Sequence, residues 1–286
     1  MTAIPLAFAA AAFLGAGLVL TQFGLRYVAP LPGAAMSIPS FTLVFICAAP
    51  LLLRGETIVW SAVPIFAAVG LVFPAVLTLI TFEGNRLLGP VITGALGNLS
   101  PLFAVALAVV LLGEPLRALQ LAGLVVIVAG VVTITVTRPQ DMRNWHSWAL
   151  LLPLGAAVLR GVMQPTIKLG LELWPSPIAA GLTGYISSAL VVLIFARIKT
   201  GRFIADAPLR GRLWFIGVGM CNGLGTLLMY AALGNGPVAL VAPLVATYPL
   251  MTVGLSALVL GKVEGASRLA AGAALTVAGV VFLLVG

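Results

Sequence analysis

The stretch GPVITGALGNLSPLFAVALAVVLLGEP, residues 89–115, decides the fold. It is apolar enough to cross a bilayer, since about 20 residues rising roughly 1.5 Å each span the hydrocarbon core. Yet its middle holds Gly94, Gly97, Asn98, Ser100 and Pro101. A proline inside a helix removes a backbone hydrogen bond and weakens the turn before it. In lipid, such a break is tolerated only where it is buried in protein or lines a wet cavity. Two readings are open: a kinked packing helix whose small residues allow close approach, or a helix that faces a substrate. The second half of the chain repeats the device as GPVALVAPLVATYPLMTVGLSALVLGK, residues 236–262. Gly89-Pro90 matches Gly236-Pro237, Pro101-Leu102 matches Pro249-Leu250, and Leu112-Gly113 matches Leu260-Gly261.

The match extends outward from that helix. Ala11-Ala12-x-Leu14 corresponds to Ala156-Ala157-x-Leu159, and Thr21 to Thr166. Pro30, Pro32, Ala34 and Ala35 correspond to Pro175, Pro177, Ala179 and Ala180. Near the ends, Ala122-Gly123 and Ala129-Gly130 correspond to Ala271-Gly272 and Ala278-Gly279. Apolar segments are expected near 3–25, 34–53, 59–82, 89–112 and 118–137, then 148–170, 178–197, 213–233, 237–260 and 268–285. The chain divides as a first repeat over 1–138, a polar connector over 139–147 and a second repeat over 148–286. An odd number of spans per repeat forces the second to enter the membrane from the opposite side. The expected fold is an all-α integral membrane protein of about ten transmembrane helices, two inverted five-helix repeats around a central cavity.

Composition agrees. Of 286 residues, 62% are hydrophobic and 8% charged, where a soluble domain carries about 25% charged residues. The formal net charge of +8 comes from short loops between spans, so it reads as a topology signal and not as a nucleic-acid surface. No Lys or Arg precedes Arg26, so the N-terminal apolar run reads as a first span and not as a cleavable signal. His146 is the sole histidine, and Cys47 and Cys221 stand apart inside apolar segments. A metal site, a His-based catalytic triad and a cofactor are therefore not expected. An enzyme would need facing carboxylates or a nucleophile with its base; a channel would not need matched kinks, though a passive pore stays open as an alternative.

Ten apolar spans, two repeats, the Leu99-Ser100-Pro101-Leu102 kink and the LGEPL run of Leu112–Leu116 resemble the drug/metabolite transporter superfamily, in particular its ten-helix EamA-type exporters. The resemblance implies a multi-pass protein of the bacterial inner membrane that exports metabolites by alternating access. It implies amino acids, aromatic or other neutral ones, as substrates, with other small metabolites or drugs as the alternative. It further implies a cavity formed by the first, third and fourth helices of each repeat. Lys168 sits where the family often has a basic residue, and Lys262 replaces the LGE glutamate in the second copy. The expected partners are the small-molecule substrate and the lipid bilayer, with no nucleic acid and a monomer as the working unit.

The candidate site follows from the repeat and from rare polar groups in the spans. Phe73, Pro74, Leu77 and Thr78 share about one face of the third helix, with Asn222, Thr226 and Tyr230 on its counterpart. Gly94, Asn98 and Ser100 precede one fourth-helix proline; Thr247 and Tyr248 precede the other. Arg160, flanked by Leu159 and Met163, lies near the middle of the sixth span. An arginine there costs at least about 2.5 kcal/mol and so must face a cavity or a partner. It either snorkels onto backbone carbonyls or receives an anionic group such as a carboxylate. The acidic residues Glu56, Glu83, Glu114, Asp141, Glu172, Asp206 and Glu264 fall in loops or at helix ends. That placement argues against proton coupling through a buried carboxylate, with Glu83 as the weak exception. The distribution of Lys and Arg favours both termini outside the cell, whereas the resemblance implies both inside.

Overall fold

A computed structural model of the chain describes residues 2–77, 80, 81, 84, 87, 96–135, 147–204, 206–260 and 266–286. It is all-α. The first half holds α1 (Ala3–Gly24), α2 (Pro30–Leu52), α3 (Val63–Gly70), α4 (Ser100–Leu112) and α5 (Ala118–Thr135). The second half holds α6 (Leu151–Leu173), α7 (Pro177–Thr200), α8 (Leu209–Asn235), α9 (Val238–Val245), α10 (Tyr248–Leu260) and α11 (Ala266–Val285). Five of these, α1, α2, α6, α7 and α8, are individually long and apolar enough to cross a membrane. Shorter apolar helices lie where the other spans are expected. Large apolar side chains such as Leu51, Val110, Ile198 and Leu209 point outward, the surface a lipid solvent requires.

Two helices, the second of each half, start on a proline. α2 begins at Pro30 and α7 at Pro177, because a proline at the first helical position loses nothing: its missing N–H would be unpaired there anyway. The structural partner of Pro30 is therefore Pro177, two residues on from the sequence match to Pro175.

Both fourth helices are interrupted at the same place. Leu99 N donates to Leu96 O at 3.1 Å and Leu102 N to Leu99 O at 3.0 Å. In the second half, Thr247 N donates to Leu244 O at 3.2 Å and Leu250 N to Thr247 O at 2.9 Å. Each is a single tight turn of i→i+3 type just before the proline, as a missing N–H predicts. The third helix is disturbed too: α3 widens into a π-type turn over Leu71–Val76, where Phe73 leaves helical geometry ahead of Pro74. A residue before proline is pushed toward extended conformations. The freed Ala75 N–H donates to Ser188 Oγ of α7 at 3.2 Å, so the break is repaired by a neighbour.

Packing repeats with the halves exchanged. α1 packs on α8 and α3 on α6; α4 packs on α6, and α9 and α10 on α1; α2 packs on α7 and α5 on α11. Small residues make these approaches possible. A Cβ on Gly15 would meet Met251 Cβ, Thr252 N and Tyr248 O at 2.9–3.0 Å, and one on Gly161 would meet Phe103 Cβ, Ala104 N and Ser100 O at 2.5–3.0 Å. Gly24 lies on the ring of Phe215 as Gly170 lies on that of Phe66. A Cβ on Gly130 would meet Thr276 N at 2.6 Å and Gly272 O at 2.8 Å, while one on Gly279 would meet Ile127 N and Gly123 O at the same two distances. These contacts fix the register. The match of Gly123 and Gly130 with Gly272 and Gly279 holds, but the first helices shift by one: Gly15 pairs with Gly161, which places Leu14 opposite Arg160 in the repeat and not opposite Leu159. Alanine-rich helices offer many false one-residue matches, and each rotates the face by about 100°.

Candidate functional site: a cavity between the halves

A cavity of about 310 Å³ lies among α1, α2, the π-type turn, α4, α6, α8 and the α9–α10 break. It falls at the lower end of the size range of small-molecule pockets. Phe73, Pro74, Leu77, Asn98, Ser100, Arg160, Met163, Asn222, Thr226, Tyr230 and Tyr248 all line it. Leu159 and Thr247 do not. The one-residue register shift carries Leu159 off the wall, and Thr247, 2% exposed, spends its hydroxyl on Leu244 O at 2.7 Å. Thr78 and Gly94 lie outside the described residues.

Sequence reasoning missed a second set. Leu14, Leu18 and Thr21 of α1 and Gln164 and Ile167 of α6 line the cavity at corresponding positions of the two first helices. The second helices contribute as well, through Ser37 and Ile38 of α2 and Tyr185 of α7. The wall is thus not confined to first, third and fourth helices. The available signal was spacing: Gln164 stands one turn from Arg160, and residues four apart share a helix face.

The two helix breaks meet in the cavity. Tyr248 OH donates to Asn98 Oδ1 at 3.3 Å, so the residue after one tight turn is tied to the residue that opens the other. Nearby, Tyr185 OH donates to Thr226 Oγ1 at 3.4 Å. Asn222 fits because α1 carries Gly17 opposite it: a Cβ there would collide with the Asn222 amide oxygen. Arg160 forms no hydrogen bond or ion pair with any described residue. Beside it, Gln164 is 7% exposed and its Oε1 has no partner.

A charged bracket holds the α8–α9 corner. Lys168 Nζ donates to Leu233 O at 2.8 Å and to Gly236 O at 3.1 Å, satisfying carbonyls at the C-terminus of α8. The Glu114 carboxylate accepts from Val238 N at 2.8 Å and Ala239 N at 2.9 Å, satisfying donors at the N-terminus of α9. A cation at a helix C-terminus and an anion at an N-terminus both sit favourably in the backbone field. The glutamate of the LGEP run is therefore a helix cap supplied by the other half, and Lys168 is its complement. At the same end Trp174 Nε1 donates to Glu56 at 3.2 Å, Thr2 Oγ1 to Asn235 Oδ1 at 3.3 Å, and Arg117 to Gly286 O at 2.6 Å. Both described chain ends thus lie at the bracketed end. The lining extends the other way, to Thr21, Leu25, Pro30 and Phe215, toward the end of α1 and the start of α8.

Among the described residues no group of His, Cys, Asp and Glu is arranged to hold a metal ion. The arrangement offers one guanidinium, three side-chain amides, hydroxyls and aromatic rings around a small volume. It can orient a small polar molecule with an apolar body.

No curated protein matches the sequence. Among the solved structures that match, a crystal structure aligns over 98% of this chain and 95% of its own, with a TM-score of 0.81 and 20% identity, a likeness of fold. The EamA-like transporter family model matches residues 1–136 and again 147–285, once on each half. The chain is a multi-pass membrane protein that belongs to the EamA-like transporter family.

Proposed function

We propose that the protein is a secondary transporter that moves small metabolites bearing a carboxylate, foremost neutral and aromatic amino acids, out of the bacterial cell across the inner membrane. The observation that carries the reading is Arg160: a guanidinium without a described partner on the wall of a cavity of about 310 Å³ between two repeat-related halves. An uncompensated cation within a membrane is expensive, so a site that keeps one has a use for it. Pairing it with a substrate carboxylate gives a charge-assisted hydrogen bond, worth about 1.5–3 kcal/mol. Asn98, Asn222, Tyr230 and Tyr248 offer polar and aromatic groups for the rest of an amino acid.

Alternating access is supported by the architecture. α1 leaves the bracketed end, whereas α6 runs toward it, ending beside Glu56 through Trp174. The two halves so read as an inverted repeat, in which either end could be the open one. The lining reaches Thr21, Leu25, Pro30 and Phe215 at the other end and does not include Lys168 or Glu114, which supports an opening at the far end. With the termini outside, as the basic residues Arg197, Lys199, Arg202, Arg210 and Arg212 at the far end favour, the open end faces the cytoplasm. A substrate would then load from inside, the direction export requires.

The test is reconstitution of the purified protein in sealed liposomes with labelled amino acids. Saturable uptake with counterflow is the expected result. Ion current without saturation would make the protein a pore.

A further inference from the structure

Arg160 is the only charged side chain among the described residues that line the cavity, and no described carboxylate faces it there. At the corresponding positions of α1 stand Leu14, Leu18 and Thr21, which offer no counterion. Gln164, one turn from Arg160, keeps an unpartnered Oε1. Among the described residues, the wall is cationic and uncompensated.

In the open state, water can solvate the guanidinium. A carrier must then pass through an occluded state in which both ends are shut and water is squeezed out. Empty, it would carry a bare cation through that state, and burying an unpaired charge is costly. Loaded, it carries a guanidinium–carboxylate pair, whose two hydrogen bonds replace the lost hydration. The loaded carrier therefore crosses faster than the empty one. We propose that Arg160 makes this protein an exchanger: a carboxylate-bearing molecule moving one way must be met by another moving back, and counterflow outruns net movement. The inference rests on the transport reading with substrate held in this cavity.

The experiment uses the whole protein in liposomes held at zero membrane potential, with L-phenylalanine, L-leucine and 3-phenylpropanoate as labelled probes. Uptake is compared into vesicles holding the same unlabelled probe, the corresponding amide, or neither. The expected result is uptake at least about tenfold faster with internal carboxylate, a factor that corresponds to about 1.4 kcal/mol of barrier, with no acceleration by the amide. Arg160→Gln should erase that advantage, and Arg160→Lys should retain much of it. Fluorescence-detected size-exclusion shows whether each variant is folded, and the wild-type comparison decides the matter if neither is. Saturable uptake at equal rates in all vesicles overturns the exchange inference and leaves transport standing. An advantage that survives in folded Arg160→Gln overturns the role of Arg160. Wild-type vesicles that take up no probe saturably overturn the transport reading, and exchange falls with it.

Discussion

The first helices of the two halves line the same cavity at corresponding positions with unlike chemistry. α1 contributes Leu14, Leu18 and Thr21; α6 contributes Arg160, Gln164 and Ile167. The backbones around them match closely, since Gly15 and Gly161 each receive the helix start after a break, and Gly24 and Gly170 each receive a phenylalanine ring. The comparison separates two kinds of constraint. Close approach between helices holds the repeat to small residues, while the wall is free to diverge because only the substrate reads it. One wall is apolar and the other cationic, and on the proposed reading specificity comes from that inequality.

The largest effect is expected where the two halves are alike. Gly15→Leu and Gly161→Leu should each drive a side chain into the backbone of a partner helix, 3.0 Å or less from it even at Cβ. Overpacking of this kind costs about 1–3 kcal/mol or more. Both variants should lose most of their folded yield or fall steeply in thermal stability, and by similar amounts. A large inequality between them would break the structural equivalence.

Next comes the place where the halves differ. Arg160→Leu, which makes the α6 wall like that of α1, should reduce carboxylate transport about 10- to 100-fold, from the loss of about 1.5–3 kcal/mol of charge-assisted bonding. Leu14→Ala should change it far less, by about tenfold at most. Initial rates in liposomes measure both, and a larger loss from Leu14→Ala would assign recognition to the wrong wall.

Much of this was legible in the sequence. Prolines 101 and 249 marked both helix breaks because a missing N–H acts locally, whatever the tertiary context. The pairing of Gly123 and Gly130 with Gly272 and Gly279 was legible because the same seven-residue spacing recurs in both halves inside matching Ala-Gly pairs, a joint match that single residues do not give. The first-helix register was not. Ala11-Ala12 and Ala156-Ala157 are too common a match to set it, and the one-residue error set Leu14 opposite Leu159 instead of Arg160. Tyr185 escaped notice because burial on the cavity wall depends on helix crossings that periodicity does not reveal, whereas Gln164, one turn from Arg160, was within reach of spacing. Glu114 and Lys168 were visible as motif residues, but their bonds to the α8–α9 corner join residues more than sixty positions apart.

Smaller effects should come from the bracket. Glu114→Gln and Lys168→Met each remove a charge from a helix terminus, worth about 0.3–2 kcal/mol in a partly buried setting. Melting temperature should drop by a few degrees, with the order of preferred substrates unchanged. A reordered substrate preference would place these residues in recognition. The smallest change is expected for Tyr248→Phe, which deletes the bond to Asn98. Interhelical hydrogen bonds in membranes average about 0.6 kcal/mol, so stability should scarcely move.

The central claim is that substrate occupies the cavity between the halves and that its access alternates. A single cysteine at Met163, placed in a background with Cys47 and Cys221 replaced, tests it most directly through a membrane-impermeant thiol reagent applied to one side of oriented vesicles. The account predicts labelling from the side of Thr21 and Phe215, slowed by bound substrate, with labelling from the Lys168–Glu114 side gained only under exchange conditions. Equal labelling from both sides without substrate would contradict it.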